Sequence, residues 1–490
     1  MAAPLRTGGQ KDFLVRNRYA LLANAALAFV LGCSSESMDR APGGSDSIDT
    51  FTPPAGGSAP VAPPVAAGGS PSAAPAPVST PEVVAPVGLE GAGDPGEAAG
   101  AAGANAGGEV DPGEPHWVGT WTASPYYDQP NQPPAPLSNG VLRQIARVSL
   151  GGSQLRVQFS NLFGNGPVTI NSSHIALGTA EPAVDSTIDP MSDTALAFAG
   201  MESVTIPQGQ EVWSDPIDFT VPALGAITIT TAFGNVPSNV VGHSGSRTTS
   251  YLQTNSNDVS APAMTSAQTT DHWYYISGID VMADASAAGV VAIGDSITDG
   301  RGTDTNRNNR WTDILAARLL ANPATANVAM MNQGIGATVL VGTTGTAAQA
   351  RFDRDVLGQS GVKYAIVFDG VNDIGSGRQF EPMKAAYDDL ISRAHAQGVL
   401  IYGATILPFG QNGYYSPQRE GVRQQVNAYI KSGVFDGYID FEAAVTDGAT
   451  PPNLQGIYAE WAQEDGLHPG PAGYQKIGET PDLALFTRQE

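Results

Sequence analysis

Two short stretches of the sequence bring together the residue types that nucleophilic catalysis needs. In Gly294-Asp295-Ser296, the serine follows the apolar run 290–293 and stands where a helix would begin. Its hydroxyl would lie near the partial positive charge of a helix N-terminus, which suits a nucleophile, although a simple N-cap also explains the triplet. Further along, Asp465 precedes His468 by three residues. In a serine hydrolase an imidazole takes the serine's proton and a carboxylate fixes the tautomer of the imidazole, and Asp465 and His468 could have these roles. Aspartate and histidine can also bind a metal, but the six histidines of this chain do not cluster in the sequence.

Two further loops could complete such a site. The stretch NQGIGA, residues 332–337, offers small residues that let the backbone approach a ligand closely. The stretch GVND, residues 370–373, places the carboxamide of Asn372 where a developing oxyanion could lie. Read in isolation, an Asn-Asp pair after a strand is also typical of a turn.

The elements that must position these loops form an α/β pattern from residue 287 to residue 490. Short apolar strands are predicted at 290–293, 327–331, 364–368, 399–407 and 437–441. Amphipathic helices are predicted at 310–321, 382–397, 417–431 and 471–478. This alternation indicates a parallel sheet covered on both faces, with the functional loops beyond the carboxyl ends of the strands.

The preceding region, residues 115–286, has period two instead. Apolar residues alternate with polar ones on both sides of the Gly151-Gly152 turn, and similar short strands follow at 203–206, 217–221, 226–231 and 273–281. We therefore predict a β-sandwich of jelly-roll type. Four aromatic residues in it could stack on sugar rings or belong to the core: Trp117, Trp121, Trp273 and Tyr274.

Taken together, the motifs resemble those of the GDSL or SGNH hydrolases. GDSITDG, NQGIGA, GVND and DGLHP occur in the family's order from about residue 289 onward, and the β-region is similar to the N-terminal part of a bacterial subgroup of these esterases. The resemblance implies a flavodoxin-like three-layer fold and ester hydrolysis through an acyl-serine, without a cofactor or metal. It makes Ser296 the nucleophile, His468 the general base and then acid, and Asp465 the residue that orients His468.

The resemblance also assigns the oxyanion hole to the backbone N–H of Ser296, the side chain of Asn372 and the backbone N–H of Ala337. Ala337 departs from the family pattern, in which a glycine occupies this position. An alanine can donate its N–H equally well, but a positive φ would be costly for it. Either Gly336 donates instead, or the local conformation accommodates alanine.

The N-terminal residues have the composition of an export signal followed by a tether. Basic residues precede an apolar run at 19–32 that is short for a membrane span, and the chain's one cysteine, Cys33, follows it as in a bacterial lipobox. We predict a signal peptide at 1–33, lipidation at Cys33 and a disordered linker rich in Pro, Ala and Gly at 34–114. An ordinary secretory signal with an incidental cysteine is the alternative.

The net charge of the chain excludes some classes of binding partner. A net charge of −23, from 24 basic and 47 acidic residues, argues against nucleic acid and against charge-driven membrane binding. We expect an exported, monomeric serine esterase of the cell envelope or the medium, which acts on short acyl esters, acetyl esters above all, of a small molecule or polysaccharide. The alternatives are a lysophospholipase, thioesterase or aryl esterase of the same fold, or a non-catalytic glycan-binding surface protein.

Overall fold

The computed structural model describes residues 113–127, 132–179, 185–446, 456–457 and 459–487. These residues belong to one compact unit, Gly96–Glu490. The predicted signal peptide, the lipidation site at Cys33 and nearly all of the predicted linker lie outside the described residues. No helix within the described ranges is both long and apolar enough to cross a bilayer.

The first part of the described chain is built from antiparallel strands, as its period-two pattern predicts. The strands are β1 (His116–Thr122), β2 (Tyr126–Tyr127), β3 (Gly140–Arg147), β4 (Gly152–Ser160), β5 (Val168–Leu177), β6 (Thr194–Ala195), β7 (Val204–Ile206), β8 (Glu211–Trp213), β9 (Ile217–Val221), β10 (Ala226–Phe233), β11 (Val241–His243), β12 (Ser250–Thr254), β13 (Gln268–Thr270), β14 (Trp273–Tyr274) and β15 (Ile276–Ala283).

Two sheets of this part enclose a common core. One has the order β1-β15-β4-β8 with β9 beside β4, and the other has the order β13-β12-β3-β10-β5-β6 with β7 beside β5. Alternate side chains of β4, Leu155, Val157 and Phe159, point inward and pack with those of the facing sheet, such as Ile227 and Ile229 of β10. The predicted β-sandwich is therefore consistent with the structure.

Most of the aromatic residues considered for sugar stacking belong to this core. Trp121, Trp273 and Tyr274 are buried, and the rings of Trp121 and Trp273 meet edge to face at 4.9 Å. Trp117 is half-buried, and the guanidinium of Arg156 lies over its ring at 4.8 Å. Three of the four rings are thus unavailable to a glycan in this conformation.

The second part contains a parallel sheet and its helices. Its strands are β16 (Ala288–Gly294), β17 (Val328–Gly334), β18 (Val362–Phe368), β19 (Leu400–Ala404) and β20 (Gly437–Ile439). Its helices are α1 (Ser296–Asp299), α2 (Trp311–Ala321), α3 (Ala348–Phe352), α4 (Val371–Gly375), α5 (Phe380–Ala396), α6 (Pro417–Ile430), α7 (Phe441–Val445) and α8 (Pro471–Glu479). A π-helical turn, Asp353–Leu357, continues α3, and single 3₁₀ turns lie at Ala459–Trp461 and Leu483–Thr487.

The order of the parallel strands is β17-β16-β18-β19-β20, the doubly wound order of a flavodoxin-like sheet. Helices cover both faces, because alternate residues of β16 enter different cores. Val291 and Ile293 pack on one face, whereas Val290 and Ala292 pack on the other. This three-layer arrangement confirms the fold class predicted from the strand-helix alternation.

The β-sandwich covers the free edge of the parallel sheet. Strand β17 is the edge strand, and its backbone is satisfied partly from the sandwich: the N–H of Met330 donates to Ser149 Oγ at 2.9 Å, and Thr122 Oγ1 donates to the carbonyl of Asn332 at 3.1 Å. Strand β1 approaches so closely that a Cβ at Gly119 would lie 2.4 Å from the sulfur of Met331. Covering an edge in this way removes an exposed template for strand pairing.

Candidate active site

Ser296 is placed by a strand, a cap and a short helix. Strand β16 ends at Gly294, Asp295 adopts extended backbone angles, and its carboxylate caps α1 by accepting the N–H of Ile297 at 2.9 Å. Ser296 is the first residue of α1, where a backbone N–H has no partner within the helix. Helix α1 packs so tightly on β17 that a Cβ at Gly334 would lie 2.2 Å from the N of Asp299. The serine is therefore held at the carboxyl edge of the sheet, at the N-terminus of α1.

The predicted partners of Ser296 meet it in one chain of hydrogen bonds. Ser296 Oγ lies 2.8 Å from His468 Nε2, and His468 Nδ1 lies 2.6 Å from Asp465 Oδ2. The other carboxylate oxygen of Asp465 accepts the N–H groups of Leu467 and His468 at 2.9 and 3.0 Å. Because a carboxylate only accepts, Nδ1 carries the proton and Nε2 is free to accept from the serine.

The charges around His468 favour its role as a base. Burial lowers the pKa of the imidazole, and the positive charges of Arg301 and Arg247 act in the same direction, against the raising effect of Asp465. Burial opposes ionisation of Asp465, but hydrogen bonds from His468 hold the pKa of that carboxyl below its ordinary value. At neutral pH the pair is therefore a neutral imidazole oriented by a carboxylate, and the acid limb of any His468-dependent activity should lie below the ordinary histidine pKa of about 6.5.

The side chain of Asn372 has a fixed orientation. It lies on α4, directly after β18, where its Nδ2 donates to the carbonyl of Thr338 at 2.7 Å. Its Oδ1 accepts from the hydroxyl of Tyr414 at 3.1 Å. A carboxamide has two N–H groups, so one remains for an oxyanion beside Ser296.

If Asn372 is the oxyanion donor, as its motif predicts, Tyr414 positions it through this hydrogen bond. Replacing Tyr414 by phenylalanine removes the hydrogen bond that fixes which side of the amide is the donor. We expect kcat to fall roughly three- to tenfold with little change in KM, the value of one neutral hydrogen bond. Tyr415→Phe is the matched control in steady-state ester kinetics, and an equal loss in both variants would contradict this role.

The loop that follows β17 shows which backbone conformation Ala337 adopts. Ala337 has φ of 61°, in the left-handed region, and it is exposed, whereas Gly336 does not have a positive φ. The chain thus keeps the left-handed conformation at this position despite the alanine. Ala337 lies next to Thr338, whose carbonyl accepts a hydrogen bond from the side chain of Asn372.

Ala337→Gly should stabilise the protein. The left-handed conformation costs an L-residue about 1–2 kcal/mol, a cost that glycine avoids. Glycine also makes the unfolded chain more flexible, which offsets about 0.5–1 kcal/mol of this gain. We expect the free energy of unfolding to rise by about 0.5–1 kcal/mol in urea denaturation. Ala350→Gly, at an exposed position of α3, should lower the free energy of unfolding. A change of the same sign in both variants would show that Ala337 is not strained.

Three buried carboxyl groups lie beneath the site. Burial raises the pKa of Asp295 to about 7, and it raises those of Asp369 and Asp373 as well. Their mutual repulsion adds to the effect on Asp295 and Asp369, and the positive charge of Arg351 opposes it. One oxygen of Asp369 has no hydrogen-bond partner among the described residues. The cluster therefore binds protons more tightly in the folded protein than in the unfolded chain.

Asp295→Asn tests this cluster. The pKa of Asp295 is higher in the folded protein than in the unfolded chain, so its protonated form contributes to stability. That contribution is complete below the ordinary carboxyl pKa of 3.8 and is lost as the pH rises through about 7. Asparagine keeps the cap on Ile297 and never ionises. Since one pH unit between two pKa values is worth about 1.4 kcal/mol, we expect the variant to gain more than ~1 kcal/mol at pH 8 and almost nothing at pH 4. Thermal unfolding at both pH values, beside the exposed Asp482→Asn, checks the prediction; a gain that does not depend on pH would contradict it.

The β-sandwich reaches the site through His243, the last residue of β11. Its Nδ1 lies 2.9 Å from the carbonyl of Ser124 and its Nε2 lies 2.9 Å from Asp299 Oδ1 on the catalytic helix α1. A carbonyl only accepts, so Nδ1 donates to it. Both side chains are buried. This contact ties the position of α1 to the sandwich.

The structure thus brings Ser296, His468 and Asp465 into one relay, and it places Asn372 on α4 and Ala337 in the loop after β17, at the carboxyl edge of the same sheet. Single-motif reasoning missed Tyr414 and His243, since neither belongs to a recognisable pattern and both reach the site only through folding. No group of three or more possible metal ligands exists within the described part of the chain.

A serine, a histidine and a carboxylate joined by hydrogen bonds at the carboxyl edge of a doubly wound sheet form the arrangement that serine hydrolases use on acyl groups. Residues 292–476 match the sequence model of the GDSL-like lipase/acylhydrolase family. This part of the chain is a GDSL-like domain, as its four motifs predict, and the family's chemistry is the hydrolysis of esters. A comparison with functionally curated proteins finds no significant sequence match for the whole chain.

Solved structures with the same kind of domain are similar over about this region. They include a member of the lipolytic G-D-S-L family from Veillonella parvula, with 19% identity over 41% of this chain and 100% of that one and a TM-score of 0.29. A GDSL-like lipase from Bacteroides thetaiotaomicron has 17% identity over 40% of this chain and 87% of that one, with a TM-score of 0.30. A variant of an acetyl-xylooligosaccharide esterase from a Geobacillus species has 19% identity over 42% of this chain and 96% of that one, with a TM-score of 0.32.

Proposed function

We propose that this protein is an exported serine esterase that removes short acyl groups, acetyl above all, from carbohydrate. The observation that carries the proposal is the continuous hydrogen-bonded relay from Ser296 Oγ through His468 to Asp465. The relay lies beside an amide, that of Asn372, whose orientation two hydrogen bonds fix. Such a site can generate a nucleophile and stabilise the negative charge that its attack creates.

The reaction has two halves. Ser296 Oγ attacks the ester carbonyl while His468 Nε2 takes its proton, and the oxyanion accepts N–H groups from Ser296, Ala337 and Asn372. The tetrahedral intermediate collapses, the C–O bond to the alcohol breaks, and His468 returns the proton to the leaving oxygen. A water then gives a proton to His468 Nε2 and attacks the acyl carbonyl. This second tetrahedral intermediate collapses, the bond between the acyl carbon and Ser296 Oγ breaks, and His468 returns the proton to Oγ as the acid leaves.

The preference for a small acyl group rests on the confinement of the reacting atoms. Ser296 and His468 are only 7% and 6% exposed. The net charge of −23 weakens association with anionic lipid surfaces, which argues against a phospholipid substrate. The Pro-rich segment 34–114 would let an enzyme anchored at Cys33 reach a polymer away from the membrane.

The test is a substrate profile of the full chain with p-nitrophenyl esters of increasing acyl length, acetylated xylan and a lysophospholipid. We expect activity to fall steeply beyond short acyl chains and acetate to be released from the polymer. A fluorophosphonate should label Ser296, identified by peptide mass spectrometry. A preference for long acyl chains or lysophospholipid would replace the proposed substrate class, and absence of both hydrolysis and labelling would leave a glycan-binding role.

The proposed location has its own test. Metabolic labelling with palmitate should mark the intact chain, and Cys33→Ser should abolish the label and release the protein from the membrane fraction. Export without labelling would instead support an ordinary secretory signal.

A further inference from the structure

Arg247 stands out among the charged residues near His468. It belongs to the β-sandwich part of the chain, in the segment after β11, and its positive charge lowers the pKa of His468. Its guanidinium also approaches the catalytic helix, with one terminal nitrogen 3.6 Å from Asp299 Oδ2. That same carboxylate oxygen would lie 3.9 Å from a Cβ at Gly336, in the loop of the oxyanion hole. The guanidinium and the loop of Gly336 therefore both approach the same carboxylate oxygen of Asp299.

The backbone of this segment is fixed from the hydrolase part. The carbonyl of Arg247 accepts the N–H of Asn306 at 2.8 Å, and Arg310 donates to the carbonyl of the preceding Ser246. Arg247 itself has φ of 53°, a conformation that costs an L-residue about 1–2 kcal/mol. Strain of this kind persists where the surroundings hold a side chain in a particular place.

The side chain so placed has unused donors. Its exposure is 21%, its Nε is fully buried, and within the described ranges that Nε has no hydrogen-bond partner. At 3.6 Å the contact with Asp299 is an ion pair without a hydrogen bond, and His243 already occupies the other oxygen of that carboxylate. A guanidinium carries five N–H donors in a planar fork, which is the geometry best suited to a carboxylate or phosphate.

We propose that Arg247 is a specificity-determining residue that binds an anionic group, a carboxylate foremost, carried by the ester substrate. The inference rests on the proposed esterase function and narrows its substrates to esters of acidic molecules, such as acetylated glycans that contain uronic acid. The anion can lie on the alcohol part, beside the base that protonates the leaving oxygen, or on the acyl part, beside the oxyanion loop. The β-sandwich part thereby supplies a residue to the substrate site of the hydrolase part.

Two matched pairs of esters test the proposal on the full chain. In the first pair the alcohol part differs: para-acetoxybenzoate against its methyl ester. In the second pair the acyl part differs: p-nitrophenyl hemisuccinate against the p-nitrophenyl ester of monomethyl succinate. The ratio of kcat/KM within a pair cancels any effect on the chemistry that both members share, including a changed pKa of His468.

We expect the wild type to have the higher kcat/KM for the carboxylate member of one pair. The pair in which this preference appears shows whether the anion lies on the alcohol part or on the acyl part of the substrate. Arg247→Gln should lower that ratio roughly tenfold or more, mainly through KM, since a hydrogen bond to a charged group is lost. Arg247→Lys should recover part of it, because the charge remains without the planar fork. Arg301→Gln, which removes another positive charge near His468 from an exposed position, should leave the ratio unchanged.

A wild type that cleaves the neutral member of both pairs at least as well as the anionic one overturns the inference, even if no Arg247 variant folds. An unchanged ratio in a folded Arg247→Gln does so too and leaves Arg247 as a structural partner of Asp299. In both cases hydrolysis of the neutral esters keeps the proposed function. If no ester is cleaved at all, the proposed function fails and this inference with it.

Discussion

Ser296→Ala is expected to lower kcat/KM for any ester that the protein cleaves by roughly 10⁴- to 10⁶-fold, the range found when the nucleophile of such a relay is removed. The substitution takes away the atom that forms the acyl bond, while the backbone N–H of residue 296 and the amide of Asn372 remain. The residual rate should come from oxyanion stabilisation and substrate binding alone. Steady-state kinetics with p-nitrophenyl acetate measure the effect, and labelling by a fluorophosphonate should disappear.

Ser376→Ala is the matched control for this variant. Ser376 is exposed, directly follows α4, and donates its hydroxyl to the carbonyl of Asp373. Its loss should leave the kinetics unchanged. Both variants should unfold at nearly the wild-type temperature, so that a fall in activity can be assigned to chemistry. Activity of Ser296→Ala within tenfold of the wild type would remove the serine from the mechanism.

Local patterns in the sequence were sufficient for the fold because each layer has its own period. The alternation around Leu155 and Val157 has period two and corresponds to β4 of the sandwich, whereas the run Val290–Ile293 is apolar throughout because β16 is buried on both faces. Once the strands are parallel, their carboxyl ends must meet at one edge. The loops that carry Ser296 and Asn372 are then neighbours without any knowledge of side-chain contacts.

The remainder of the site depends on contacts that no local pattern encodes. Tyr414 lies 42 residues after Asn372, and its partner is one oxygen of a side chain that can point either way. His243 and Arg247 belong to a different architectural part, and they meet Asp299 only because the sandwich covers the edge of the parallel sheet at β17. At Ala337 the sequence indicated that a positive φ would be costly, but only the structure shows that the residue adopts one.

These contacts join the sandwich part to the helix that carries Ser296. Asp299 is the last residue of α1, and the sandwich contacts it with a histidine and an arginine. A displacement of the two parts would therefore move the helix that presents Ser296. Geometry at a reacting centre must be held to within a fraction of an ångström, so the sandwich acts as a support for the active site as well as a cover for the sheet edge.

Asp465→Asn is expected to lower kcat roughly 10³- to 10⁴-fold, nearly as severely as loss of the serine. Asparagine retains an oxygen for the N–H groups of Leu467 and His468, so the backbone of the loop should stay in place. Its amide group would then face His468 Nδ1 as a donor. The imidazole would have to accept there and carry its proton on Nε2, where it meets Ser296 as a donor and can no longer take the serine's proton.

The pH dependence separates this tautomer effect from a general disturbance of the site. The charge of Asp465 raises the pKa of His468, so its removal should move the acid limb of kcat/KM to lower pH while the plateau collapses. Glu464→Gln makes the same charge change one residue away on an exposed side chain and should alter neither the plateau nor the limb. A plateau within tenfold of the wild type in Asp465→Asn would mean that the carboxylate is dispensable and that the loop backbone alone orients His468.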